Sequence, residues 1–307
     1  MDEEANILWA RALEQSGVHV VYGLIGYKTH CKVTLVVRRE AGGLRRYVHL
    51  GTGNYNPVTA RYYSDLSLFT AKDDFGADAT SVFNLLTGYS KPVQWRKLKV
   101  APLTLKSGVI EMIDREAEIA KATGKGRIVA KMNSLADSDV IKALYRASQA
   151  GVQIDLIIRG VCCLRPGVQG VSERIRVVSI VDRYLEHTRI WFFEAGGKRD
   201  LWCTSADWMP RNFIRRVEVA FPIEDPLLRD RIVDEILATQ LADNVKSRVL
   251  LESGRYERVA ANGPPLRSQE RFMALARRSG ATEPPVAGQE MFPSTERRPA
   301  RRRKKRL

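Results

Sequence analysis

Two histidines in this chain stand beside cations at the same spacing. His30 lies between Lys28 and Lys32, and His187 is followed two residues on by Arg189. Side chains alternate along a strand, so Lys28, His30 and Lys32 share one face while Cys31, Val33 and Leu35 take the other. Such a face suits an anion: the lysines offset charge on phosphate oxygens while an imidazole nitrogen attacks phosphorus. Each pair is followed, 20 to 24 residues on, by a small-residue turn, Gly51-Thr52-Gly53-Asn54 in one case and Thr204-Ser205-Ala206-Asp207 in the other. Turns of this kind leave backbone N–H groups free for an anion, and Asn54 is placed to orient a ring nitrogen. The spacing therefore predicts one phosphoryl-binding site made from both pairs. His19 and His49 read as structural.

The elements that position these residues repeat. A helical pattern over Asn6–Gln15, with Ile7, Ala10 and Leu13 on one face, stops at Gly17. A β-rich run at Val18–Tyr22 follows, then Lys28–Lys32 leading into a strand at Val33–Arg38. A turn at Glu40-Ala41-Gly42-Gly43 precedes a strand at Tyr47–Leu50. The second copy keeps the order: a helix from Asp139 to Ala150 stopping at Gly151, a strand at Val152–Ile158, then Glu186-His187-Thr188-Arg189. A strand at Ile190–Phe193, the turn Glu194-Ala195-Gly196-Gly197 and a strand at Leu201–Cys203 complete it. Its main difference is an insertion of about 23 residues before the histidine, carrying Arg159, Cys162 and Cys163. Helices around Ala77–Leu86 and Pro226–Ala242 close the copies, the second with Asp225 as N-cap and Pro226 at N1. If the copies pack about a pseudo-twofold, the two histidines face each other across one cleft. The expected fold is α/β: two similar domains with mixed sheets, at 1–105 and 106–258, followed by a basic tail at 259–307.

The net charge of +15 is divided unevenly. From Val259 onward there are twelve Lys/Arg against four acids, and Arg297 to Leu307 alone holds eight Lys/Arg. With Gly263-Pro264-Pro265, Pro284-Pro285 and Pro293, this stretch reads as a disordered tail, interrupted by a short helix around Ser268–Arg278 and dispensable for folding. The remaining surplus favours a polyanionic partner, and the tail would also accept nucleic acid. Cys31, Cys162, Cys163 and Cys203 show no metal or disulfide spacing and are expected to be reduced and mostly buried. No apolar stretch approaches the roughly 20 residues of a membrane span. The acidic start, Met1-Asp2-Glu3-Glu4, is not the n-region of a signal peptide, so the expected location is cytoplasmic.

His-x-Lys followed by Gly-Thr-Gly-Asn, in duplicate, resembles the phospholipase D superfamily pattern. The match departs at Val36 and Val37, where that pattern carries an Asp after its Lys. The segments Gly26–Lys32, Tyr47–Asn56, Thr59–Asp65, Leu156–Cys162, Ile180–His187 and Ser205–Asn212 are more closely similar to the long, first class of polyphosphate kinases, over about residues 2 to 258. The resemblance implies two phospholipase D-like domains and an enzyme that moves phosphoryl groups reversibly between ATP/ADP and inorganic polyphosphate through a phosphohistidine.

Carried over position by position, His30 would be the phosphorylated nucleophile, assisted by Lys32 and His187. Tyr63, Arg159 and His187 match nucleotide-contacting positions, and Asn54, Arg61 and Arg189 complete the expected phosphate-binding set. The residue types fit: Arg159 can grip phosphate bidentately, Tyr63 offers a ring face and a hydroxyl, and His187 can serve as acid, base or ligand. The family implies Mg2+ as cofactor and relatives about twice this length. Its magnesium-contacting arginines would lie upstream of Met1, which leaves the metal ligands unassigned. A first copy that begins at its helix implies self-association and weakened activity. The alternatives are a phospholipase D-type phosphodiesterase and a non-catalytic polyanion-binding remnant.

Overall fold

The computed structural model describes residues 2–88, 94–260 and 263–282. Residues 1–269 form one compact body, and Glu270 onward forms a second unit whose described part is the remainder of one helix. The basic run from Arg297 lies outside the described residues.

The chain opens with α1 (Asp2–Gln15), then β1 (Lys28–Thr29), β2 (Lys32–Glu40), β3 (Gly43–Gly51), β4 (Ser67–Thr70) and α2 (Asp73–Leu86). Next come β5 (Lys99–Ala101), α3 (Leu105–Thr123), β6 (Arg127–Met132), α4 (Ser138–Gln149), β7 (Gln153–Ile158), β8 (Ile175–Ile180), β9 (Ile190–Phe193) and β10 (Asp200–Thr204). The last part holds α5 (Pro210–Ile214), β11 (Arg216–Pro222), a helix spanning α6 (Pro226–Asp230), a π-helical stretch (Arg231–Leu237) and α7 (Ala238–Leu241), then β12 (Ser247–Leu250), β13 (Tyr256–Arg258) and α8 (Ser268–Thr282).

A ten-stranded mixed sheet runs in the order β1-β11-β10-β9-β6-β7-β8-β12-β13, with β5 also paired to β11. The parallel pairs are β1 with β11, β6 with β7 and β7 with β8. A second sheet, β2-β3-β4, is antiparallel. Period-2 alternation in β9 shows how the large sheet is covered. Trp191 and Phe193 join the core under α3 and α4, while Ile190 and Phe192 join the core that takes in Val48 and Leu50 of β3 and Phe75 of α2. With both faces buried, its strands carry apolar runs, as in Leu156–Ile158.

Local signals set the helix ends. Asp137 caps α4 by accepting from the N–H groups of Asp139 and Val140, and Asp225 caps α6 through Leu227 and Leu228, with Pro226 inside the first turn. Val18–Tyr22, expected as a strand, is irregular; its Val18, Val21 and Tyr22 are exposed. The compact body also continues past Arg258. Ser268 donates through N–H and Oγ to Asp243, and Gln269 is buried against Tyr184 and Glu186, so the expected dispensable tail contributes core contacts. All four cysteines are free thiols, with Cys203 buried and Cys163 exposed. Among the described residues, no helix is long and apolar enough to cross a membrane.

Candidate active site

The stretch expected as one strand from Lys28 to Arg38 is two strands in two sheets. Lys28 N–H donates to the Arg215 carbonyl (3.1 Å) and His30 N–H to the Val217 carbonyl (3.0 Å), the regular parallel ladder of β1 on β11. Cys31 N–H donates to that same Val217 oxygen (3.0 Å), and the chain then leaves for the smaller sheet. His30 is thereby fixed at the crossing, beside Glu218 of β11. Its Nδ1–H donates to Glu218 Oε2 at 2.9 Å.

Glu218 is fully buried and is held in turn by Ser205 Oγ (2.5 Å), Asn212 Nδ2 (2.6 Å) and the Arg216 guanidinium at 3.8 Å. Burial is the largest influence on the His30 pKa and lowers it; Glu218 pulls it up, and the Lys32 and Arg216 cations add to the net fall. The ring is therefore neutral near pH 7. With the proton on Nδ1, its Nε2 lone pair is available.

His187 is built on the same plan with a different outcome. Its Nδ1 donates to Asp65, at 2.9 and 3.0 Å from the two carboxylate oxygens. Its Nε2 accepts from Arg189 Nη1 at 2.9 Å; an arginine can only donate, which fixes the tautomer. Burial again lowers the pKa. Arg189 also donates to Asp207 (3.2 and 3.3 Å), and Asp207 accepts from the Asn133 N–H at 2.7 Å. Asn133 Oδ1 accepts from Arg159 Nε, which ties the expected phosphate ligand into the network. The Tyr63 ring lies 5.0 Å from the His187 ring, centroid to centroid.

The two carboxylates cross over. Glu218, in the second repeat, orients the histidine of the first, and Asp65, in the first, orients the histidine of the second. Reasoning from the sequence missed both. The signal was present: Asp65 and Glu218 each lie eleven residues beyond the end of the small-residue turn, at Asn54 and Asp207. The first turn is small for a steric reason. A Cβ on Gly53 would sit 2.2 Å from the Asp65 carboxyl group, while Thr52 Oγ1 donates to Asp65 at 2.7 Å.

Lys32 lies close enough to both rings for its charge to act on each. It is 6 % exposed, and among the described residues its Nζ has no hydrogen-bond partner. Burial pushes its pKa down to about 8, against the raising pull of Glu218; the Arg189 cation adds to the fall and Asp65 opposes it. A buried donor without an acceptor is costly, and an anion placed there would relieve it.

Comparison with known proteins decides the family. Residues 1–92 match the family described as "Polyphosphate kinase C-terminal domain 1", and residues 98–269 match "Polyphosphate kinase C-terminal domain 2". The chain belongs to the polyphosphate kinase family. It is 54% identical over 277 residues to "Polyphosphate kinase" of Synechocystis sp., covering 90% of this chain and 38% of that protein. It is 53% identical over 272 residues to "Polyphosphate kinase 1" of Chlorobaculum tepidum, covering 89% and 39%. The crystal structure of polyphosphate kinase from Porphyromonas gingivalis superposes with a TM-score of 0.84 at 40% identity, over 91% of this chain and 43% of that one. The chain thus spans about two fifths of the length of these polyphosphate kinases.

Within this polyphosphate kinase segment, the other expected residues lie at varying distance from the rings. Arg159 is half-buried and joined to Asn133, whereas Arg61 and Asn54 are exposed. Asn54 makes no hydrogen bond to either ring; the orienting work expected of it is done by Glu218 and Asp65. It instead lines a neighbouring cavity of about 540 Å³ with His49, Tyr55, Tyr63 and Asp65. His49 donates or accepts with the Tyr55 hydroxyl at 2.7 Å. No group of three or more metal-ligating side chains occurs among the described residues, and the site carboxylates are each engaged with a ring or a guanidinium. The described residues do not form a magnesium cage.

Proposed function

We propose that this chain carries the phosphoryl-transfer centre of a polyphosphate kinase, with His30 as the residue that is phosphorylated. The observation that carries the reading is the asymmetry of the two imidazoles: both are held at Nδ1 by a carboxylate, but only His187 has its Nε2 covered by a guanidinium.

His30 Nε2 forms a bond to the γ-phosphorus of ATP as the bond from that phosphorus to the β-γ bridging oxygen breaks, releasing ADP. The Nδ1 proton stays on the ring, and Glu218 offsets the positive charge that the ring acquires. A terminal oxygen of inorganic polyphosphate then attacks the same phosphorus, and the N–P bond breaks. A phosphoramidate and a phosphoanhydride have comparable transfer potential, so the reaction runs both ways. Lys32, Arg189 and Arg159 supply the cations that bind and stabilise the transferring group, and His187 and Tyr63 line the nucleotide side. Magnesium enters as MgATP, a substrate, and an ATP-linked reaction of this kind is assigned to the cytoplasm. Exposed Leu8, Trp9 and Tyr22 favour self-association.

The test is incubation with γ-labelled ATP and Mg2+, followed by acid and alkali treatment. Acid-labile, alkali-stable label is expected on the wild-type chain and none on His30→Ala; full labelling of that variant would remove His30 from this role.

A further inference from the structure

The edge of the large sheet beside His30 carries four cations, of which the site described above uses only Arg216, at 3.8 Å from Glu218. Lys28 and Arg216 are register partners across β1 and β11, one ladder step before His30 and Glu218. Alternation along both strands therefore puts Lys28 and Arg216 on the face that bears the His30–Glu218 pair, about 7 Å further along the sheet. Arg215 lends its carbonyl to Lys28 N–H, and its own N–H donates to the Arg211 carbonyl at 3.0 Å, so α5 brings Arg211 and Arg215 to the same edge. Lys28, Arg211 and Arg215 are exposed, and among the described residues no carboxylate lies within ion-pair distance of any of them. Like charges gathered without counter-charges destabilise the free protein and are relieved by a polyanion.

We propose that Lys28, Arg211, Arg215 and Arg216 hold the phosphates of inorganic polyphosphate that follow the terminal one during transfer at His30. The proposal rests on the phosphoryl-transfer reading, because it is the position beside His30 that selects a chain whose end must reach that ring over nucleic acid.

The experiment uses the full 307-residue chain and inorganic polyphosphate of about one hundred phosphates, without ATP, titrated across a series of salt concentrations. The triple variant Lys28→Gln/Arg211→Gln/Arg215→Gln is compared with Arg39→Gln/Lys142→Gln/Arg248→Gln, which removes the same charge from exposed positions elsewhere. The first should bind at least about tenfold more weakly, with the slope of log K against log salt reduced by about two to three, since each neutralised phosphate contributes ~0.7–0.9. The second should stay near wild type. Equal weakening of both triples, or wild-type binding by the first, would overturn the subsite. A loss confined to single-stranded DNA, with polyphosphate binding intact, would reassign the edge to nucleic acid. If the triple does not fold, Arg211→Gln/Arg215→Gln carries the same comparison with a smaller expected effect. Labelling of His30 by ATP is scored separately, so a failure of the transfer reading does not mimic a failure of this one.

Discussion

Glu218 accepts hydrogen bonds from His30, Ser205 and Asn212 while fully buried, and a carboxylate is the one side chain of that shape with acceptors on both tips. In Glu218→Gln one tip becomes a donor facing another donor, and the charge proposed to offset a phosphorylated ring is gone. Phosphotransfer should fall on the order of 10² to 10³-fold with the fold intact by circular dichroism; a loss below tenfold would make Glu218 a packing residue. The pH profile follows from two neighbouring groups. Burial lowers the His30 pKa below its usual 6.5, so activity rises with pH as that ring loses its proton. Lys32 titrates at about 8, so its cation is present below that pH and lost above it. The kcat/KM profile should therefore show an alkaline limb near 8, and Lys32→Arg should abolish that limb while leaving the acid one, because a guanidinium stays charged throughout. An unchanged alkaline limb would assign it to another group. His30, Lys32 and His187 were legible in the sequence because each sits in a repeated pattern. Glu218 was not, since in Val217-Glu218-Val219 it falls on what alternation presents as a solvent face, and its partner lies in the other repeat.

At the scale of elements, the loop bearing His187 is tied down by residues that sequence composition assigns to a tail. Gln269 accepts from Tyr184 N–H (2.9 Å) and donates to the Tyr184 carbonyl (2.9 Å) and to Glu186 (2.7 Å). Glu186 also receives Lys131 at 2.6 Å and Gln240 at 2.7 Å; burial would raise its pKa, but the Lys131 cation and the hydrogen bonds from Lys131, Gln269 and Gln240 together bring it down. Arg267 pairs with Asp182 at 2.6 Å on the same loop. Removing the amide in Gln269→Ala leaves buried partners unmatched, at about 1–3 kcal/mol. For a chain of this size, the melting temperature should fall by roughly 3–8 °C in a thermal scan. No shift would show that the contacts are replaced by water. Proline and charge content hid this role, because two buried polar residues at the start of a helix carry no apolar signature. The helix cap at Asp225 and the buried run Ile154–Ile158 were readable because each depends on its own neighbours. Val18–Tyr22 misled for the converse reason: β propensity alone does not supply a partner strand.

Across the whole molecule, the repeats are joined by exchange. β1 of the first repeat is an edge strand of the sheet built by the second, and each histidine is oriented by a carboxylate from the other repeat. Neither half holds a complete site, which is why a duplication legible in sequence did not by itself reveal how its copies combine. Lys32 couples the two, because its charge acts on both rings and is acted on by both carboxylates. Groups that serve one transition state in this way are not additive when removed. Asp65→Asn should release His187 and Glu218→Gln should release His30, and each should lower the rate of phosphoryl transfer by at least about 10²-fold. If the rings work as one centre, the double variant should be slower than the worse single variant by less than about tenfold, far short of the product of the two losses. Single-turnover transfer from labelled ATP in all four proteins measures this directly. Losses that multiply would mean that the two rings act in separate steps, and the crossed carboxylates would then be an architectural link between repeats rather than a catalytic one.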